Sequence, residues 1–228
     1  MARRVLEQAS KMAIGGAATT GHEQPRRRGF LTPRALSAAL RAGEEVSDQE
    51  YERFVATRFQ VACREATPLA IAKRAAQLLT EGKALRVLDV GAGIGKFSVV
   101  GALTGSAIFT GVERQLSLVR AARGIALRLG AQRITFVHGS VTDMEFGAFD
   151  AIYILDPALS QGVSSSHLAT ADGADPLASC TISTWRKLRD AREGTRIVTY
   201  FGHCAPPGCR VLKKEPAGVD QLVLFVKE

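Results

Sequence analysis

Residues 87–97 read Val-Leu-Asp-Val-Gly-Ala-Gly-Ile-Gly-Lys-Phe, a buried strand running into a glycine turn and then a helix. No other stretch restricts the fold as much. Glycine permits the sharp turn and leaves no Cβ between backbone and ligand. Open α/β sheets hold their ligand at such a strand end. The spacing over Gly91, Gly93 and Gly95 is G-x-G-x-G, whereas a pyrophosphate seat uses G-x-G-x-x-G. Lys96 stands where that fingerprint wants its third glycine, and Asp89, two residues before the first, would repel a pyrophosphate. The loop therefore suits a ligand bearing an ammonium group and argues against a nicotinamide dinucleotide. Glu113 lies 22 residues beyond Gly91, at the end of the next strand, where a carboxylate can accept from both hydroxyls of a ribose. Alone it also reads as a solvated acid at a helix start. Its distance from the loop favours the ligand.

The surroundings fit that loop. Residues 1–30 are rich in Gly, Ala, Thr and Arg without periodicity and read as a mostly disordered, basic tail. Residues 31–82 read as a helical extension of three segments. Thr32-Pro33 supplies an N-cap and a first-turn proline, and Gly43 stops the first segment. Ser47-Asp48-Gln49-Glu50 is a capping box that opens the second, through Tyr51, Phe54 and Val55. The third starts at Thr67-Pro68 and ends before Gly82. These helices are expected to cap a larger domain over 83–228. There strands are expected at 86–90, 107–112, 134–138, 149–155, 195–201 and 221–226, with another at 210–213. Helices fall at 95–103, at 115–129 and from Asp175-Pro176 towards Gly194. This alternation predicts an α/β fold with right-handed crossovers and a mostly parallel sheet flanked by helices.

From about Thr67 to the C-terminus the chain resembles the class I, seven-strand, Rossmann-like methyltransferases that depend on S-adenosylmethionine (SAM). The first motif is at Asp89–Gly95 and the ribose acid at Glu113. The resemblance implies SAM as cofactor, held by Asp89, Gly91, Ala92, Gly93, Gly95 and Glu113. It also implies that the turn His138-Gly139-Ser140-Val141-Thr142-Asp143 clasps the adenine. Ser140 replaces the family's usual Asp, so the contact to the amino group is a hydroxyl or is absent. Val141 is expected on the ring, and Asp143 as a helix N-cap. A coarser likeness is to the non-SET lysine methyltransferases of the type that modifies the histone core, and to their small bacterial and mitochondrial relatives. It rests on Thr67 opening a helix, Gly93-Ile94-Gly95-Lys96, Gly111-Val112-Glu113, and Gly194–Tyr200 entering the fifth strand. It adds Thr67 to the cofactor-binding set and makes a protein lysine amine the first acceptor to consider.

The fourth strand ends in Asp156-Pro157-Ala158-Leu159 beside the first strand's loop. Amine- and amide-directed relatives carry Asn/Asp-Pro-Pro-aromatic there; this chain keeps the acid and the first proline only. Methyl transfer is an in-line displacement, so positioning supplies much of the acceleration. A base is needed only to take a proton from a cationic amine or a hydroxyl. Asp156 is expected to orient the nucleophile with Pro157 beside it. Tyr153 and Tyr200 are lesser candidates, and Tyr153 reads more readily as a core aromatic.

Charge places the partners. The net charge is +8, and residues 1–41 hold eight Lys/Arg against Glu7 and Glu23. The basicity belongs to the tail, which either stays solvated or holds polyanions weakly. No apolar run spans a bilayer. Arg3, Arg4 and Lys11 among Val5, Leu6, Met12 and Ile14 resemble a mitochondrial transit peptide; Glu7 and the missing amphipathic stripe oppose that. Four scattered cysteines indicate a reducing compartment, cytoplasmic in the first reading and mitochondrial in the second. His203, Cys204 and Cys209 lack a fourth ligand, so no metal is expected. Competing readings are a small-molecule methyltransferase, a non-catalytic SAM-binding or nucleic-acid-associated protein and, more distantly, a dehydrogenase.

Overall fold

Side-chain chemistry starts the first two helices. The Thr32 hydroxyl accepts the Ala35 N–H at 3.2 Å, and Gly43 closes α1 (Pro33–Ala42) in the left-handed region. Ser47 and Glu50 satisfy each other's backbone N–H at the head of α2 (Asp48–Phe59). Helix α3 (Leu69–Thr80) follows a turn at Thr67-Pro68. The computed structural model describes residues 32–61, 66–81, 86–155, 183–201 and 205–228. The basic tail, Asp156, Pro157, His203, Cys204 and the start of the helix expected at Asp175-Pro176 lie outside them. Residues 183–187 are helical and run into a 3-10 turn at Leu188–Asp190, in line with the expected end of that helix.

The remaining elements alternate as expected: β1 (Arg86–Val90), α4 (Lys96–Thr104), β2 (Ile108–Glu113), α5 (Leu116–Leu129), β3 (Ile134–His138), β4 (Ala151–Leu155), β5 (Arg196–Tyr200), β6 (Cys209–Ala217) and β7 (Asp220–Lys227). They form one seven-stranded sheet in the order β3-β2-β1-β4-β5-β7-β6. The first five strands pair in parallel, while β7 runs antiparallel between β5 and β6. The order reverses at β1, which pairs with β2 on one side and β4 on the other. That reversal opens a crevice beyond the strand ends, where the glycine loop lies. Strand β6 is longer than the expected 210–213. It bulges between Val211 and Lys213, carries Pro216 and leaves Val211 and Leu212 exposed along the sheet's outer edge.

Side chains alternate across the sheet and feed two apolar clusters. Leu88 and Val90 of β1 join Val112, Ile152, Ile197 and Phe225 on one face. Val87 points to the other, with Phe97, Phe109, Tyr153, Val198 and Leu224. Leu36, Tyr51, Phe54 and Leu78 belong to this second cluster. The helices of residues 31–82 are therefore not a separate cap. They form a wall of the core itself, because their apolar faces have no other surface to bury against. Among the described residues no helix is long and apolar enough to cross a membrane.

One polar contact locks this wall to the glycine loop. The Lys96 side chain, only 2% exposed, follows Gly95 into the first turn of α4 and turns into the helical layer. Its ammonium pairs with Asp48, lies 3.8 Å from Glu52 and sits 5.5 Å from the Tyr51 ring centre. The same Asp48 oxygen accepts the Leu69 N–H at 2.9 Å, so one carboxylate also caps α3. Removing one partner of a buried pair strands the other charge. Asp48→Ala is expected to destabilise the fold by about 3 kcal/mol, and Lys96→Met, which removes the ammonium and keeps the bulk, by clearly less. Urea unfolding of both variants checks the order; equal losses would contradict it.

Candidate active site

The seat is built from backbone. Gly91 and Gly93 adopt φ of 68° and 56°, and a Cβ on either would meet nothing within 4 Å. Both therefore border open space in the crevice, and side chains there would project into it. Gly95 is different: at φ 75° its Cβ would come 2.3 Å from the Phe136 ring, so glycine there serves packing. Ala92 N–H bonds the Val112 carbonyl at 2.9 Å, and Gly95 N–H bonds that of Ala92 at 2.7 Å, which fixes the loop's shape.

Glu113 stands across the loop at the end of β2. One carboxylate oxygen accepts the Gly93 N–H at 3.0 Å and the other the Gln115 N–H at 2.8 Å. Each oxygen retains acceptor capacity, as two ribose hydroxyls require. Asp89 lies under the turn, 3% exposed, and accepts the Ser98 hydroxyl at 2.6 Å. Burial pushes its carboxyl up to about 7; the Ser98 hydrogen bonds oppose the rise and the Glu113 charge adds to it. An incoming ammonium would supply the missing opposite charge. Ser98 escaped the sequence reading, although a hydroxyl one turn into the helix was a usable signal. Lys96 escaped it too, since its partners lie on α2.

The adenine turn is only partly as expected. Ser140, not Asp143, is the N-cap: its oxygen accepts the Thr142 N–H at 3.2 Å, while Asp143 accepts the Ser140 N–H at 3.0 Å. Both side chains serve a 3-10 turn at Val141–Asp143 as a capping box, where the sequence had suggested Asp143 as the N-cap and Ser140 as an adenine contact. Val141 is already buried in the Leu88–Phe225 cluster. His138 bonds the Arg114 carbonyl at 3.1 Å, tying the end of β3 to the residue after Glu113.

Tyr153 is the core aromatic that its sequence favoured, which removes it as a candidate to orient the nucleophile. It is 1% exposed, stacks on Phe97 with ring centres 3.8 Å apart, and its hydroxyl lies 2.7 Å from that of Thr67. Burial holds its phenol well above the usual range, so it stays protonated and serves no base role. Thr67, itself buried, spends its hydroxyl on Tyr153, anchoring the start of α3 beside Asp89, which pairs in register with Tyr153. Tyr200 ends β5 opposite Leu155, the last described residue of β4. Among the described residues no group of His, Cys, Asp and Glu is placed to hold a metal.

Residues 81–175 match a family model described as a methyltransferase domain. Solved structures share the fold. An RNA methyltransferase from Salinibacter ruber in complex with S-adenosyl-L-homocysteine is 18% identical, over 70% of this chain and 92% of its own, with a TM-score of 0.51. A putative O-methyltransferase from Klebsiella pneumoniae is 16% identical, over 85% and 97%, at 0.53. Cofactor-bound Rv0187 from MTB is 18% identical, over 86% and 97%, at 0.55. No curated protein matches the chain.

The raised Asp89 carboxyl gives a pH dependence with a definite sign. The unfolded chain ionises Asp89 near pH 4 and the folded one at about 7. The protonated form's contribution to stability is therefore complete below pH 4 and lost as pH rises through 7. Binding of an ammonium-bearing ligand favours the ionised form. Its affinity should rise with pH between about 5.5 and 7.5, with proton uptake by the buffer at pH 6 in calorimetry. Asp89→Asn should flatten that profile. Glu113→Ala should weaken binding of a ribose-bearing ligand about tenfold at every pH in this range.

Proposed function

We propose that this chain is a class I SAM-dependent methyltransferase whose acceptor is a nitrogen, in the first instance the side-chain amine of a protein lysine. The observation that carries methyl transfer is the seat itself: two glycines facing open space, a buried carboxylate beneath them and a ribose acid across them. These residues fit SAM, whose bound form supplies an electrophilic methyl on a sulfonium. Asp89 would favour its ammonium, Gly91 and Gly93 would admit its chain, and Glu113 would take its ribose. Held there, SAM would supply a methyl carbon for in-line attack by the acceptor's lone pair, with sulfur keeping the electron pair of the carbon–sulfur bond and the amine proton passing to solvent or to a carboxylate. Asp156, next after Leu155, is the residue proposed to orient that nitrogen.

The lysine reading is supported by Thr67, Gly93–Lys96, Gly111–Glu113 and Gly194–Tyr200. A second reading, an RNA acceptor, is favoured by the basic tail and by the likeness to the Salinibacter enzyme. A small-molecule acceptor is supported by the likeness to the Klebsiella protein. Few, scattered cysteines support a cytoplasmic setting.

Tritiated methyl transfer from SAM to a cell extract separates these. Label removed by protease and kept after nuclease is expected; the reverse would transfer the proposal to RNA, and label resisting both to a small molecule. Asp156→Ala should lower transfer at least a hundredfold while leaving the SAM dissociation constant within about twofold.

A further inference from the structure

Two buried tyrosines lie on the same face of the sheet, one strand apart, and only one has a partner. Tyr153 is opposite Val198, so Tyr200 stands two residues further towards the crevice on the neighbouring strand. The Tyr153 hydroxyl is satisfied by Thr67. That of Tyr200 is sealed from solvent, with the residue 0% exposed, and bonds nothing among the described residues. A buried hydroxyl left without a partner is destabilising, and phenylalanine would fill the same space without that loss. Few such groups persist in native proteins without a further role.

The position suggests the role. Tyr200 is at the carboxyl end of β5, level with Leu155 at the carboxyl end of β4. Leu222 of β7 pairs with it, and Asp220 lies two residues nearer the crevice. Resting on the methyltransferase reading above, we propose that the Tyr200 hydroxyl oxygen receives a hydrogen of the incoming nucleophile and turns its lone pair towards the methyl. Asp220, on the crevice side of it, adds a negative charge that favours a cationic or hydrogen-bond-donating acceptor, such as an amine. Burial first, and the Asp220 charge second, push the phenol up to about 12. Tyr200 thus stays neutral at physiological pH, with its oxygen free to accept.

Sinefungin tests this without a known acceptor. In this SAM analogue an amine-bearing carbon replaces the methylated sulfur, so its amine projects where nucleophile and methyl meet; S-adenosylhomocysteine lacks that group. Calorimetry on the full chain should show Tyr200→Phe weakening sinefungin about tenfold and S-adenosylhomocysteine less than twofold. Asp220→Asn should weaken sinefungin in the same selective way, by a smaller factor. The melting temperature of Tyr200→Phe should equal or exceed that of the parent, since an unsatisfied hydroxyl is removed. Equal effects on both ligands, no effect on either, or a lowered melting temperature would overturn the assignment. Failure of the parent protein to bind S-adenosylhomocysteine would instead sink the methyltransferase reading beneath it.

Discussion

The fold hangs on a charge that has left water. Lys96 opens the helix after the glycine loop, where the helix dipole disfavours a cation, and its ammonium is almost wholly buried. It is tolerable only because Asp48 and Glu52 come to it from α2 and the Tyr51 ring lies over it. That requirement fixes where α2 lies. Asp48 in turn takes the first N–H of α3, so the third helix is placed by the same carboxylate. A single ammonium thus registers the N-terminal wall against the glycine loop, and the turn before α3 brings Thr67 to Tyr153.

The second organising element is the row Ser98, Asp89, Tyr153 and Thr67. Asp89 and Tyr153 pair across β1 and β4, while Ser98 reaches Asp89 from α4 and Thr67 reaches Tyr153 from the turn before α3. Polar groups in such a layer must satisfy one another, because water is excluded. Each hydroxyl here has one dedicated partner. The row leaves Asp89 short of positive charge, which a bound ammonium would provide, and so would tie the affinity for such a ligand to the packing of these residues.

Features that depend on near neighbours in the chain were legible in the sequence. The caps at Thr32 and Ser47, the β1 strand, the glycine turn and the acid at Glu113 each declare themselves within a few residues, and the structure has them in place. The alternation of strands and helices gave the parallel part of the sheet for the same reason. What could not be read depends on distance in sequence. Nothing near Lys96 reveals that its partner is 48 positions upstream. Tyr153 read as a core aromatic, but its enclosing partners Phe97 and Thr67 are far off in sequence and only the structure names them. Asp143 was read as an N-cap although Ser140 holds that place, because the resemblance had already assigned Ser140 to the adenine.

The outer edge of the sheet has a consequence for how the chain behaves among its own copies. A bare edge strand invites another strand to add to it. On β6 the bulge between Val211 and Lys213 breaks the regular repeat of donors and acceptors, Pro216 offers no N–H, and Lys213 and Lys214 place like charges on any second copy. Val211 and Leu212 can therefore remain exposed without becoming a template for fibre growth at high concentration.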